Sequence, residues 1–297
     1  MSEMIEILPK KENESDFRLV SNNILLQMLV RRESRRIRRA AQLYDAYIDM
    51  DADFFTLQEV DELWHEDYKL DLLMKELGFA QVPMVAKGDH VYLGTSDIRN
   101  PIFYKADRFD MLECGYDRYK ATVFPALEKG KAPEYPSSSY TWAVFEEKST
   151  GKKIAVFSTH LVARVNHADN TEEQKAKPQS EYHVESVTQL ADEMQRIADK
   201  YNCGVIASGD YNHVDKSPAY AYMKQFFDSA RDDCPIRLNM EYGTWTYFGK
   251  APEKDTGAID QCMYTRKGLR AKRFEYSVCE RTWCYSDHIP IIFDFEI

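Results

Sequence analysis

The chain has no apolar run near the length that spans a bilayer, and residues 1–13 are charged without an apolar centre. Neither a membrane span nor a secretory leader is therefore expected. Cysteine is sparse: Cys114, Cys203, Cys234, Cys262, Cys279 and Cys284, with no CxxC pair among them. Thiols so arranged are expected to be reduced and buried, as in a cytoplasmic protein. Cys279, Cys284 and His288 lack a fourth partner and fit no common zinc spacing. GxSxG, Walker A and HExxH motifs are missing, as are internal repeats, low-complexity tracts and linkers. An excess of positive charge is missing too, since 39 Lys and Arg face 49 Asp and Glu, for a net charge of -10. That balance argues against tight non-specific binding of nucleic acid. It leaves room for a nuclease that binds briefly, and it suits a site that gathers cations.

What remains is enough for a sizeable core: 297 residues, 44% of them hydrophobic. We read them as one domain over 1–297. The centre of the reading is Gly204 to Pro218, GVIASGDYNHVDKSP. Val205, Ile206 and Ala207 form a short apolar run of buried-strand type. Ser208 and Gly209 break it, and Asp210 and Asn212 follow. An i, i+2 pair leaving a strand points the same way, so a carboxylate and an amide are offered together. Glycine there would let the backbone turn and a ligand come close.

The same design recurs. Strands are predicted over 17–22, 53–58 and 152–158, and polar residues follow them: Asn23, Glu59 and His160. Further strands are predicted over 79–85, 90–93, 101–104, 109–114, 139–147, 258–264, 270–278 and 289–295. Helices are predicted after Asn23, over 61–78, 171–201 and 217–227. The first carries Arg31, Arg32, Arg35, Arg36, Arg38 and Arg39. Its arginines read as a solvated face partly paired with Glu33 and Asp45, the alternative being that one or two hold substrate phosphate. Residues 116–139 read as a long surface loop. Alternating helices and strands followed by strands favour an α/β fold.

Open α/β sheets bind ligands outside the carboxyl ends of their strands. Asn23, Glu59, His160, Asp210 and Asn212 all fall at such ends, and Asp260, Asp287 and His288 complete the set. Hard oxygen donors dominate it, which suits Mg²⁺ or Mn²⁺. With the other catalytic motifs missing, the set points to metal-assisted hydrolysis of a phosphate ester.

Six motifs carry a resemblance: SNNIL at Asn23, LQEV at Glu59, STHL at His160, SGDYN at Asp210 and Asn212, AIDQ at Asp260 and SDHIP at Asp287 and His288. In this order the chain resembles the endonuclease/exonuclease/phosphatase superfamily, with the DNase I-like fold. The resemblance implies a four-layer α-β-β-α sandwich of two mixed sheets. It implies that Glu59 ligates the metal with Asn23 and Asp287 nearby, and that it is Asn23, before Ile-Leu, and not Asn22. Asp210 would orient or deprotonate the attacking water with help from Asn212. His288, held by Asp260, would contact the scissile phosphate, and His160 would serve a phosphate or leaving oxygen. SDHIP departs from the Arg-rich closing motif of the inositol polyphosphate 5-phosphatases, and the histidine of STHL departs from the abasic-site endonucleases. The motifs sit closer to the sphingomyelinase, deadenylase and bacterial branches. The implied partner is a phosphate ester, from nucleic acid, a phospholipid headgroup or a small molecule, read as a diester; the alternatives are a phosphomonoesterase acting on a small phosphorylated metabolite and a non-catalytic binding protein on the same fold. Tyr104, Asp97 and His213 are left between site and structural roles.

Overall fold

The parity of the strand residues builds the molecule. In FRLVSNN, Phe17 and Leu19 pack into one apolar cluster and Val20 into another. In FFTLQ, Phe54 joins the first cluster while Phe55 and Leu57 join the second. Alternation puts successive side chains on opposite faces, so each strand serves an inner and an outer layer. The computed structural model describes residues 10–11, 13, 16–83, 100–122, 138–163 and 177–297.

The strands are β1 (Phe17–Asn23), β2 (Phe54–Gln58), β3 (Phe79–Gln81), β4 (Ile102–Lys105), β5 (Phe109–Arg118), β6 (Ser139–Glu147), β7 (Lys153–His160), β8 (Gly204–Asp210), β9 (Asp228–Ser229), β10 (Ile236–Leu238), β11 (Asp260–Tyr264), β12 (Arg270–Tyr276) and β13 (Ile291–Glu296). They form a seven-stranded sheet, β10-β12-β13-β1-β2-β4-β3, and a six-stranded sheet, β5-β6-β7-β8-β11-β9. Both are mixed: β1 runs parallel to β2 and β7 to β8, while β13 and β11 pair antiparallel.

The helices are α1 (Glu33–Ile48), α2 (Glu62–Glu66), α3 (Leu70–Glu76), α4 (Gln179–Tyr201), α5 (Pro218–Met223), α6 (Ala230–Asp233) and α7 (Glu280–Trp283). Leu43, Tyr47, Trp64, Leu70 and Met74 cover the outer face of the seven-stranded sheet. Val187, Leu190, Met194 and Met223 cover that of the six-stranded sheet. Between the sheets lie Phe17, Phe54, Phe145, Ile206, Phe293 and Phe295. Each such fully buried side chain stabilises the fold by about 1.5–3 kcal/mol. The expected four-layer sandwich of two mixed sheets is what forms.

Several elements differ from expectation. The helix expected over 61–78 is two, with Lys69 in the left-handed region at φ 52° between them. In one continuous helix, Trp64 and Leu70 would point about 120° apart. The break puts both against the sheet. Strands β9 and β10 and helices α6 and α7 form where connections were expected. Residues 116–118 extend β5, while 123–137 of the expected loop lie outside the described residues, as do Asp97, the strand expected over 90–93 and the helix start at 171–176. All six cysteines are free. No helix among the described residues is long and apolar enough to cross a membrane.

The inner faces carry a gradient that positions the site. Going along β2, β7 and β8, the inward residues begin apolar with Phe54, Ile154, Val156 and Ile206. They turn polar at Thr56, whose hydroxyl lies 2.8 Å from that of Ser208, and at Gln58, which donates to Ser158 at 3.1 Å. These bonds join the two sheets. One step further, the inward positions are His160 and Asp210.

Candidate active site

Register assembles the first row. Asp210 of β8 lies opposite His160 of β7 on one side and Asp260 of β11 on the other. Gly209 makes the close approach of β7 and β8 feasible, since a β-carbon there would collide with the Thr159 carbonyl oxygen. Its role is therefore neither a turn nor ligand access, and β8 continues through Asp210.

The opposing sheet supplies Asn23 and Glu59. Asn23 follows the parity of Phe17 and Leu19 and faces inward. Its Nδ2 donates to Asp210 Oδ2 at 3.0 Å and to Glu59 Oε1 at 3.1 Å. Asn22 faces the other way, where its Oδ1 accepts from Tyr47 at 3.0 Å and Tyr285 at 2.9 Å. Glu59 leaves β2 in the left-handed region at φ 58°, an uncommon conformation for a residue other than Gly, Asn or Asp. It is held by the Leu26 amide donating to Oε2 at 3.2 Å. Strain of this kind gathers at functional sites.

His288 arrives before β13. Its Nδ1 lies 2.8 Å from Asp260 Oδ2, and its Nε2 lies 3.7 Å from Asp210 Oδ2. His160 Nε2 lies 3.5 Å from the same oxygen. Asp210 Oδ2 thus faces Asn23 and both imidazoles, while Oδ1 accepts from the Asn212 amide at 2.8 Å. His160, Asp210, Asp260 and His288 are all buried.

An endonuclease/exonuclease/phosphatase from Bacteroides vulgatus is 19% identical, covering 95% of this chain and 99% of its own, with a TM-score of 0.69. The human Nocturnin catalytic domain is also 19% identical, covering 95% and 94%, at 0.67. A Bacteroides thetaiotaomicron mannosyl-6-phosphatase is 21% identical, covering 95% and 100%, at 0.66. The fold is that of the endonuclease/exonuclease/phosphatase proteins. At such identities the likeness is one of fold. No protein-family model and no curated protein sequence matches the chain.

Within this fold the candidate residues meet at one edge of the sandwich. Asn212 reaches it differently from expectation. It sits past the end of β8 at φ 51°, a conformation asparagine tolerates. Strand alternation does not apply there, so Asn212 contacts Asp210 through its backbone while its side chain donates to Leu161 O at 2.8 Å. Asp287 lies within electrostatic reach of Glu59, His288 and Arg39. His213 is buried against His183 and bonded to Ser217 at 2.8 Å. Tyr104 packs on Phe145 as part of the core.

Sequence reasoning missed three supports. Arg39 is buried, not part of a solvated face, and donates to the carbonyls of Ile24, Leu25 and Tyr285 and to Gln27. Asp45 pairs with Arg281 instead of the α1 arginines. Thr244 accepts from the Ile259 and Asp260 amides at 3.0 and 3.1 Å, and its carbonyl accepts from Ile289. Ser286 ties the two ends of the chain by donating to Asn23 O at 2.7 Å. Ser286 stands inside the SDHIP motif, whereas nothing local in the sequence marks Arg39 or Thr244.

The electrostatics follow from burial and neighbours. Burial pushes the Asp210 carboxyl up, with Asp260 adding to it and His288 and His160 pulling it back. Burial works to lower the His288 ring, but Asp260 and Asp210 carry it well above the ordinary range and keep it cationic. Burial likewise works to raise Glu59, and His160, Asn23, His288 and the Leu26 amide outweigh it. Burial raises Asp287.

The donor set fits a hard divalent cation. Glu59, His160 and Asp210 bring ligand atoms within 4.8 Å of one another, as do Asp210, Asp260 and His288. One oxygen each of Asp260 and Asp287 is buried without a hydrogen-bond partner. Carboxylate oxygens in that state have capacity for a cation or water. Each of these groups joins one histidine to two carboxylates, and none among the described residues includes a cysteine.

Proposed function

We propose that the chain is a Mg²⁺- or Mn²⁺-dependent phosphoesterase that hydrolyses a phosphodiester by in-line attack of water. The carrying observation is the convergence on Asp210 Oδ2 of Asn23 from the seven-stranded sheet, of His288 from the segment before β13 and of His160 from the six-stranded sheet. Glu59, with Asn23 and Asp287 beside it, would hold the metal, which when bound supplies positive charge to the phosphate oxygens.

The chain's own groups divide the remaining work. Asp210, its carboxylate fixed by Asn212 and Asn23, orients the water and takes its proton. Burial raises this carboxyl, which makes it a stronger base than an exposed aspartate. His288, kept charged and oriented by Asp260, donates from Nε2 toward a phosphoryl oxygen as charge builds there. His160 donates to the leaving oxygen or a second phosphoryl oxygen. Asn23 ties Glu59 to Asp210, so the metal side and the base side of the site move as one unit.

A second reading, a phosphomonoesterase, is favoured by the structural likeness to a mannosyl-6-phosphatase. Turnover of bis-p-nitrophenyl phosphate against p-nitrophenyl phosphate, with Mg²⁺ or Mn²⁺ and with chelator, separates the two. Faster diester turnover that stops in chelator is expected. Faster monoester turnover supports the second reading, and full activity in excess chelator overturns the metal assignment.

A further inference from the structure

The chain carries a net charge of -10, yet six arginines fall within residues 31–39. Two of them are used internally: Arg39 as described, and Arg36, which donates to Val30 O at 2.6 Å. Arg35 and Arg38 are exposed on α1. They stand within one turn of each other, at the helix end where positive charge opposes the macrodipole. That arrangement is self-repelling until an anion joins it.

A cavity of about 780 Å³ opens beside them, lined by Arg35, Arg38, Gln42, Phe248, Arg281 and Trp283. Its acids do not cancel the charge. Four arginines line it, Arg35, Arg38, Arg39 and Arg281, against two acids, Asp45 and Glu280, of which Asp45 pairs with Arg281.

The wall of this cavity leads to the active site. Trp245 forms a backbone bridge with His288, the Thr246 amide donates to Asp287 O, and Phe248 and Gly249 line the cavity. From Trp245 to Phe248 is three residues, at most about 11 Å of extended chain. Two large rings are exposed on that short lip, Trp245 at 47% and Tyr247 at 61%, with centroids 5.6 Å apart. Lys250 Nζ stands 5.1 Å from the Tyr247 ring. Neighbouring exposed aromatics beside a site mark a binding surface.

From these observations we infer that the lip and the cavity form a subsite for a nucleotide bearing a second phosphate. The base stacks on Trp245 and Tyr247, and the phosphate remote from the scissile bond sits on Arg35 and Arg38. The inference rests on the phosphoesterase reading and names its substrate class. The aromatic lip requires a flat apolar group, which a sugar bisphosphate lacks. The acidic remainder of the surface disfavours a long polyanion and leaves a mono- or dinucleotide. Base–aromatic stacking is worth about five- to hundredfold in affinity per base, and an arginine–phosphate contact adds a charge-assisted hydrogen bond.

Calorimetry on the full chain tests it with adenosine 3′,5′-bisphosphate, adenosine 5′-monophosphate and 1,3-propanediol bisphosphate. The nucleoside bisphosphate should bind at least tenfold more tightly than either of the others. Arg35→Gln/Arg38→Gln should erase its advantage over the monophosphate, and Trp245→Ala/Tyr247→Ala its advantage over the base-free compound. Equal binding of the three, or variants that change nothing, overturns the subsite. Turnover of methyl p-nitrophenyl phosphate, too small to reach the cavity, should be unchanged in Arg35→Gln/Arg38→Gln, and a loss there would also overturn it. If the wild-type chain turns over no phosphate ester, the phosphoesterase reading fails, and the calorimetry still decides the subsite.

Discussion

Strands β1 and β2 carry buried charge at both ends, and the two ends are built differently. At the start of β1, Arg18 grips Asp294 through two bonds of 2.7 and 2.9 Å and donates to Met50 O at 3.1 Å. At the start of β2, Asp53 accepts from Lys11 and from the Arg18 amide, both at 2.8 Å, and from Arg108 at 3.1 Å. Arg108 in turn holds Glu147 at 2.7 Å. Each of these carboxylates has its cation. Roughly 16 Å along the same strands, Glu59, Asp210, Asp260 and Asp287 outnumber the cations near them, and two of the four keep a buried oxygen without a partner. Saturated buried charge fixes the fold, whereas unsaturated buried charge is held in readiness for a cation, a water and a phosphate.

Removing Glu59 should break the readier end most completely. Glu59→Ala is expected to abolish nearly all turnover and weaken Mg²⁺ binding measured by calorimetry, and chelator should do the same to the wild type until Mg²⁺ or Mn²⁺ is restored. Next come the imidazoles. His160→Ala and His288→Ala should each lower kcat by about 10²- to 10⁴-fold on a phosphodiester. Asp260→Asn should lower it less, by loosening His288. Circular dichroism should show all three variants folded.

The saturated end should respond in the opposite currency. Arg18→Met leaves Asp294 buried and unpaired, and denaturant unfolding should register a loss of about 3–5 kcal/mol. Below its transition, the variant's kcat should stay within a few-fold of wild type. A tenfold loss of kcat with unchanged stability would erase the contrast between the ends.

His213 provides an effect confined to acid pH, on a buried polar group belonging to neither end. Burial and the neighbouring His183 push its ring down to about 3. An unfolded histidine titrates near 6.5, so below that pH the unfolded chain takes up a proton that the folded chain refuses. Stability from this residue is therefore complete above pH 6.5 and is lost as the pH falls toward 3, by up to about 1.4 kcal/mol per pH unit. His213→Gln should flatten that limb of the stability profile. An unchanged slope would show that His213 accepts its proton while folded.

How much of this was legible in the sequence depended on range. Period-two alternation is local, so the inward parity of Asn23, His160 and Asp210 could be read from the strands that carry them. The choice of Asn23 over Asn22 rested on the family pattern, and the structure supplies its physical reason in the opposite faces of β1. Supports made by distant backbone were not legible. Arg39 looks like any other arginine of its run until the carbonyls of Ile24, Leu25 and Tyr285 turn toward it. Thr244 and Ser286 act through chain segments brought close only by folding. The break at Lys69 and the helices Ala230–Asp233 and Glu280–Trp283 were set by packing and capping that a periodicity cannot see. Asn212 failed for a related reason, since alternation ends where the strand does.

The contrast between the two ends comes down to Asp210, measured for stability and activity together. Burial holds its carboxyl above the ordinary range, so ionising it at neutral pH costs folding free energy. Asp210→Asn removes that charge and the general base in one step. The expected result is a melting temperature equal to or above wild type, with kcat/KM on a phosphodiester reduced by about 10²-fold or more. A variant that melts well below wild type while keeping more than about a tenth of the activity would contradict it, since Asp210 would then be a structural charge like Asp294.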